Sequence, residues 1–120
     1  TLKIALIKES PTGSYGASTT NYSDVTGNSD EASGTNYTAG GQALDGATIS
    51  LSGSTAIVDF TDEVMANLTI SADGAIIYNS SQGNKAIAVF DFGGTVTATS
   101  GDFTIVFPTA DASNAVIRIA

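Results

Sequence analysis

Apolar and polar residues alternate with a period of two through much of this chain, in runs too short for helices. In the run Thr48-Ile49-Ser50-Leu51-Ser52, residues Ala47, Ile49 and Leu51 fall on one face. Phe103, Ile105 and Phe107 alternate with Asp102, Thr104 and Val106, and Ala115, Ile117 and Ile119 with Asn114, Val116 and Arg118. Such alternation predicts sheets with one face in a core. Residues 85–92 are apolar on both faces, with Ile87 and Val89 opposite Ala86, Ala88, Phe90 and Phe92. That pattern predicts a strand in the middle of a sheet or at an interface.

Turn chemistry separates the runs. Asp73-Gly74 lies between two apolar stretches and reads as a hairpin, because glycine tolerates positive φ. Ser52-Gly53-Ser54, Gly93-Gly94 and Ser100-Gly101 read as three further reversals. Strands are expected near residues 2–8, 47–52, 55–60, 67–71, 75–79, 85–92, 95–99, 102–107 and 114–119. About eight or nine short strands predict an all-β fold, an antiparallel sandwich or small barrel. One helical turn fits residues 61–66, with Thr61 as N-cap and Asp62 and Glu63 in the first turn.

Residues 9–46 show neither period. The stretch is rich in Ser, Thr, Asn and Gly, contains Pro11, and holds Tyr15, Tyr22 and Tyr37. Long loops in compact domains are functional or disordered, and disorder goes with few aromatics. The three tyrosines therefore predict an irregular arm that lies against its own domain or a neighbour, and they are the candidate interface residues. The whole reads as one β domain over residues 1–120: a strand at 2–8, the arm at 9–46 and a strand-rich body at 47–120.

Composition removes most chemistry. Among 120 residues there are no cysteines and no histidines, so disulfides, thiolate nucleophiles, imidazole bases and His or Cys metal ligands are excluded. Four basic residues against twelve acidic ones give a net charge of −8, which argues against nucleic acid or an anionic membrane as partner. No apolar run reaches the roughly 18 residues of a membrane span. Charged residues are only 13% of the chain, and the uncharged Thr/Ser/Asn surface this implies suits coverage by another protein. The chain start lacks the features of a secretory signal, so synthesis and folding in a cytoplasm are expected.

Carboxylates are the remaining catalytic material. Asp59, Asp62 and Glu63 cluster at a strand end, but no aromatic sugar platform accompanies them as a glycosidase would need. They read as a solvated turn. Residues 24–35 loosely resemble a calcium loop, yet glycine is fourth rather than sixth and Thr35 stands where the EF-hand has Glu. No catalytic residue, cofactor or metal ligand is predicted, and an enzyme is not expected.

Several segments together carry a resemblance: residues 2–10, Gly74-Ala75-Ile76-Ile77-Tyr78-Asn79, residues 85–94, and the ending Phe103-Thr104-Ile105-Val106-Phe107-Pro108 with residues 114–120. They resemble small virion-associated proteins of tailed bacteriophages, over nearly the whole chain, through strands and turns without a catalytic signature. The resemblance implies a structural protein that decorates or cements the capsid. It would lie on the outer surface of the virion, against the major capsid protein and neighbouring copies of itself, after synthesis in the host bacterial cytoplasm. A homo-oligomer or symmetric array follows, with Tyr15, Tyr22 and Tyr37 as its contacts. A carbohydrate- or receptor-binding β module and a neck or tail protein are the alternatives.

Overall fold

The computed structural model describes residues 1–107 and 117–119. Strand accounts for 56% and helix for 6% of the described residues, which makes the protein mostly β, as the alternation predicts. Its sheets are antiparallel and do not close into a barrel. The chain forms two compact units, one of residues 1–43 and 65–103, the other of residues 44–64 and 104–120.

The first unit is built on β1 (Leu2–Lys8), whose Ile4, Ala5, Leu6 and Ile7 are all buried. It pairs antiparallel with β5 (Glu63–Asn79), from Leu2 opposite Asn79 to Ile7 opposite Gly74. The short strand β2 (Gln42–Ala43) pairs with its other edge. With β6 (Lys85–Ile105) the sheet order is β2-β1-β5-β6. On one face Ala5, Ile7, Ile76 and Tyr78 form a buried cluster with Val25. Val25 belongs to α1 (Tyr22–Gly27), a six-residue helix whose Asn21 side chain accepts from the Ser23 amide while Asp24 accepts from the Asn21 amide. This reciprocal cap replaces partners that the first turn lacks.

Residues 9–46 are thus more ordered than the sequence suggests. Besides α1 and β2, they close the free edge of β1: Lys8 N donates to Asp30 O (2.8 Å) and Ala32 N to Leu6 O (2.9 Å). Between these bonds the Leu6 amide donates to the Tyr37 hydroxyl (3.0 Å). Gly41 adopts φ +77 with its α-carbon so near β1 that a Cβ would lie 1.8 Å from the Ile4 carbonyl oxygen. Only glycine meets both demands.

Seven strands are present among the described residues: the expected pair at 67–71 and 75–79 is one long strand, the three expected at 85–92, 95–99 and 102–107 are another, and β2 is added. The turn expected at Asp73-Gly74 is a bulge inside β5: Ile7 faces Gly74 and Lys8 faces Ala72, leaving Asp73 unpaired. Glycine is needed at position 74 for close approach rather than for reversal, since a Cβ there would sit 2.3 Å from the Phe90 carbonyl oxygen. The reversals expected at Gly93-Gly94 and Ser100-Gly101 likewise lie within β6. Asp73 bonds Thr95 and Ser71 bonds Thr97, while Gly74 abuts Phe90. The helical turn expected at 61–66 is absent; from Glu63 the chain is strand, with Glu63 and Met65 buried and Val64 and Ala66 exposed. Period two wins there over the capping signal. Asn67, at φ +56, then shifts the alternation so that Leu68, Ile70 and Ala72 point inward. The segment 85–92, expected mid-sheet or at an interface, occupies an edge strand instead of a central one.

In the second unit β3 (Thr48–Ser52) and β4 (Thr55–Asp59) form a hairpin around Gly53, which takes the positive φ expected of that turn. β7 (Ile117–Ile119) pairs with β4, giving the order β3-β4-β7. Residues 114–116 of the expected last strand lie outside the described residues. Ile57, Phe60 and Phe107 are buried, with the two phenyl rings 5.5 Å apart. The face carrying Ile49 and Leu51, expected to be core, is the exposed one: these side chains are 81% and 74% accessible.

Candidate functional site

Two adjacent carboxylates organise the three candidate tyrosines. Asp30 and Glu31 lie on the segment that runs along β1, Glu31 opposite Ile7, and they serve different tyrosines. Asp30 is fully buried. Its Oδ1 accepts from the Thr12 amide (2.9 Å) and hydroxyl (3.0 Å), and its Oδ2 from the Gly13 amide (2.8 Å) and the Tyr15 hydroxyl. Lys8 Nζ stands 3.3 Å from Oδ1. Burial pushes the Asp30 carboxyl pKa up, but the donors from Tyr15, Thr12 and Gly13 outweigh it and hold the group well below the usual carboxylate range. Asp30 is therefore a fixed anion that pins the loop 12–15 to the sheet.

Glu31 gathers the other two. Its Oε1 accepts from the Tyr22 hydroxyl, and its Oε2 from the Tyr37 hydroxyl (2.7 Å) and the Gly40 amide (2.7 Å). Tyr22 stacks on Tyr78, with centroids 4.3 Å apart and planes 7° apart, and Tyr78 donates to Gly40 O (2.6 Å). Burial, then the bonds to Glu31, push the Tyr22 hydroxyl above its ordinary pKa. Burial also raises that of Tyr37, with Glu31 adding to the rise and the Leu6 amide opposing it. These phenols stay protonated and act as donors.

Tyr15 lines an open cleft of about 330 Å³ together with Asp73, Asp91, Val89 and Phe90. A second groove of about 410 Å³ lies between Gly16, Ala17 and Thr19 on one side and residues 86–89 of β6 on the other. Val89 lines both. Asp73 accepts from Thr95 Oγ1 (2.6 Å) and the Ser10 amide (2.9 Å), and these bonds hold its carboxyl below the usual range. Asp91 Oδ1 accepts from the Gly93 amide (2.8 Å).

Asp24 and Asp62 also accept from protein donors. Asp24 caps α1, so the segment with a loose calcium pattern begins inside a helix, and its three acids Asp24, Asp30 and Glu31 accept from protein donors. In the second unit, Asp62 accepts from the Phe107 amide (2.8 Å), Asp59 pairs with Thr48, and Glu63 is buried. Sequence reasoning singled out the tyrosines, as interface residues, and missed Asp30 and Glu31. The available signal was two adjacent carboxylates in a long, Tyr-bearing and mostly uncharged stretch. Comparison with protein-family models, with curated proteins and with solved structures finds no match.

Proposed function

We propose that this protein is a bacteriophage virion structural protein that decorates the capsid by docking onto the shell of major capsid protein. The observation that carries the reading is the exposed apolar face of the β3–β4 hairpin. Ile49 and Leu51 stand largely in solvent, at register positions opposite the half-buried Val58 and Ala56. Large aliphatics this exposed on a sheet mark a surface that another protein covers. Each would add roughly 1.5–3 kcal/mol if fully buried on docking. One such patch is weak, but many symmetric copies on a lattice make modest contacts strong. The resemblance of the strand and turn segments to virion-associated proteins supports the same reading, as does a net charge of −8 on a protein that must avoid the packaged DNA.

Mixed with undecorated capsids, the protein is expected to co-sediment at a fixed stoichiometry and to raise their disruption temperature. The double variant Ile49→Ser, Leu51→Ser should fold normally, since neither side chain is in the core, while attachment falls at least tenfold. Recovery with the tail fraction of dissociated particles would replace the decoration role by a neck or tail role. Attachment unchanged in the double variant would remove the β3–β4 face from the account.

A further inference from the structure

β3 ends its sheet, and among the described residues no strand pairs with its outer side. The hairpin register runs unbroken from Ser52 opposite Thr55 to Thr48 opposite Asp59, around a loop of two residues, Gly53 and Ser54. A two-residue loop makes the closing pair a hydrogen-bonded one, and such pairs then recur at every second position. Ser52, Ser50 and Thr48 therefore turn their main-chain groups to β4, whereas Ile49 and Leu51 turn theirs outward. These two are also the most exposed large aliphatics among the described residues. Natural sheet edges are blunted by charge, proline or a bulge, and β3 has none of these. Among the described strands longer than two residues it alone lacks a charged side chain, on a protein of net charge −8. A second acidic copy meets no like charge there.

We infer that β3 pairs antiparallel with β3 of a second copy, about a twofold axis at Ser50. In that register Ile49 of each copy lies opposite Leu51 of the other, and every outward N–H and C=O of the two residues finds a partner. A twofold contact needs this self-complementarity. Ser50 is the midpoint of the strand, so this register alone keeps both outward residues of each copy within the paired length. On one face Ile49 and Leu51 of the two copies form a continuous apolar row. On the other, Ser50 meets Ser50 and Thr48 meets Ser52, all uncharged. Asp59, the one charged residue of the hairpin, would stand about 20 Å from its counterpart, three strand spacings of ~4.8 Å across and four residues of ~3.3 Å along. That is well beyond the Debye length of about 8 Å. The inference uses the edge of β3 and holds whether or not its apolar face docks onto a capsid.

A five-residue edge buries less than the roughly 1,200 Å² of a stable interface, so the dimer is weak and is read by sedimentation of the full-length protein up to about 1 mM. A reversible monomer–dimer equilibrium is expected. Ser50→Lys sets like charges directly opposite across the axis and should weaken dimerisation at least tenfold, as should Ser50→Glu. Mixed in equal amounts, the two variants should recover association as a heterodimer, which a loss of folding could not produce. Ser50→Cys, in a chain without native cysteine, should oxidise to a covalent dimer at least tenfold faster than the also exposed Thr48→Cys, whose counterpart lies four residues further along. Being nearly isosteric, Ser50→Cys decides alone if the charged variants do not fold. A monomer at every concentration, dimerisation unchanged in both charge variants, no recovery on mixing, or equal oxidation of the two cysteine variants would overturn the proposal.

Discussion

Replacing Asp30 with Asn removes a charge and one acceptor while keeping the shape of the side chain. In the native protein the carboxylate takes four hydrogen bonds and the Lys8 ion pair in a fully buried position. An Asn amide oxygen can serve only one of the two donor sets. If it keeps the Thr12 pair, the new NH₂ faces the half-buried Gly13 amide, and that donor is left unsatisfied at a cost of about 1–3 kcal/mol. The Tyr15 hydroxyl can turn to accept, so it adds little. The bonds that survive lose their charge assistance, adding about 1 kcal/mol. Lys8 is about a third exposed, and water screens most of its share. The expected total is about 3 kcal/mol at pH 7, a fall in melting temperature of roughly 10 °C or more. Urea unfolding followed by tyrosine fluorescence and circular dichroism measures it. The pH dependence gives an independent check. The folded carboxyl titrates below its unfolded value of about 3.9, so its stabilisation is complete above that pH and drains away as pH falls further. The Asn variant lacks this contribution, and the gap between the two proteins should narrow below about pH 4. A variant within 0.5 kcal/mol of the native protein at pH 7, or a gap that widens in acid, would refute the role assigned to Asp30.

Gly74→Ala should destabilise by more than about 2 kcal/mol, because the added Cβ meets a backbone oxygen that can move only with β6. Gly16→Ala, with open space around it, is the control and should be near neutral in the same thermal melts. Tyr37→Phe leaves the buried Leu6 amide without its acceptor and takes one of three donors from Glu31, at about 1–3 kcal/mol. Faster hydrogen exchange at Leu6 than at Ala5 would locate the loss, and unchanged exchange there would contradict it.

The period-two pattern by itself determined the β class, β1 to the residue, and the Gly53 hairpin, because each depends on neighbours close in sequence. Local chemistry could also have revealed α1, whose Asn21 and Asp24 are spaced as a capping pair. Bulges were not legible. Asp73-Gly74 has the composition of a turn, and only the opposing strand decides whether such residues reverse the chain or swell it. The exposed side of the second sheet was hidden for a related reason. Alternation states that Ile49 and Leu51 share a face with each other but not which face the rest of the protein covers. The Asp30 and Glu31 networks join residues 12 to 78, and side chains so far apart in sequence acquire partners only when β1, β5 and the segment 30–32 are laid side by side. Burial then makes Asp30 an organising centre, because a buried charge must gather donors, and the half-buried Glu31 beside it gathers Tyr22 and Tyr37.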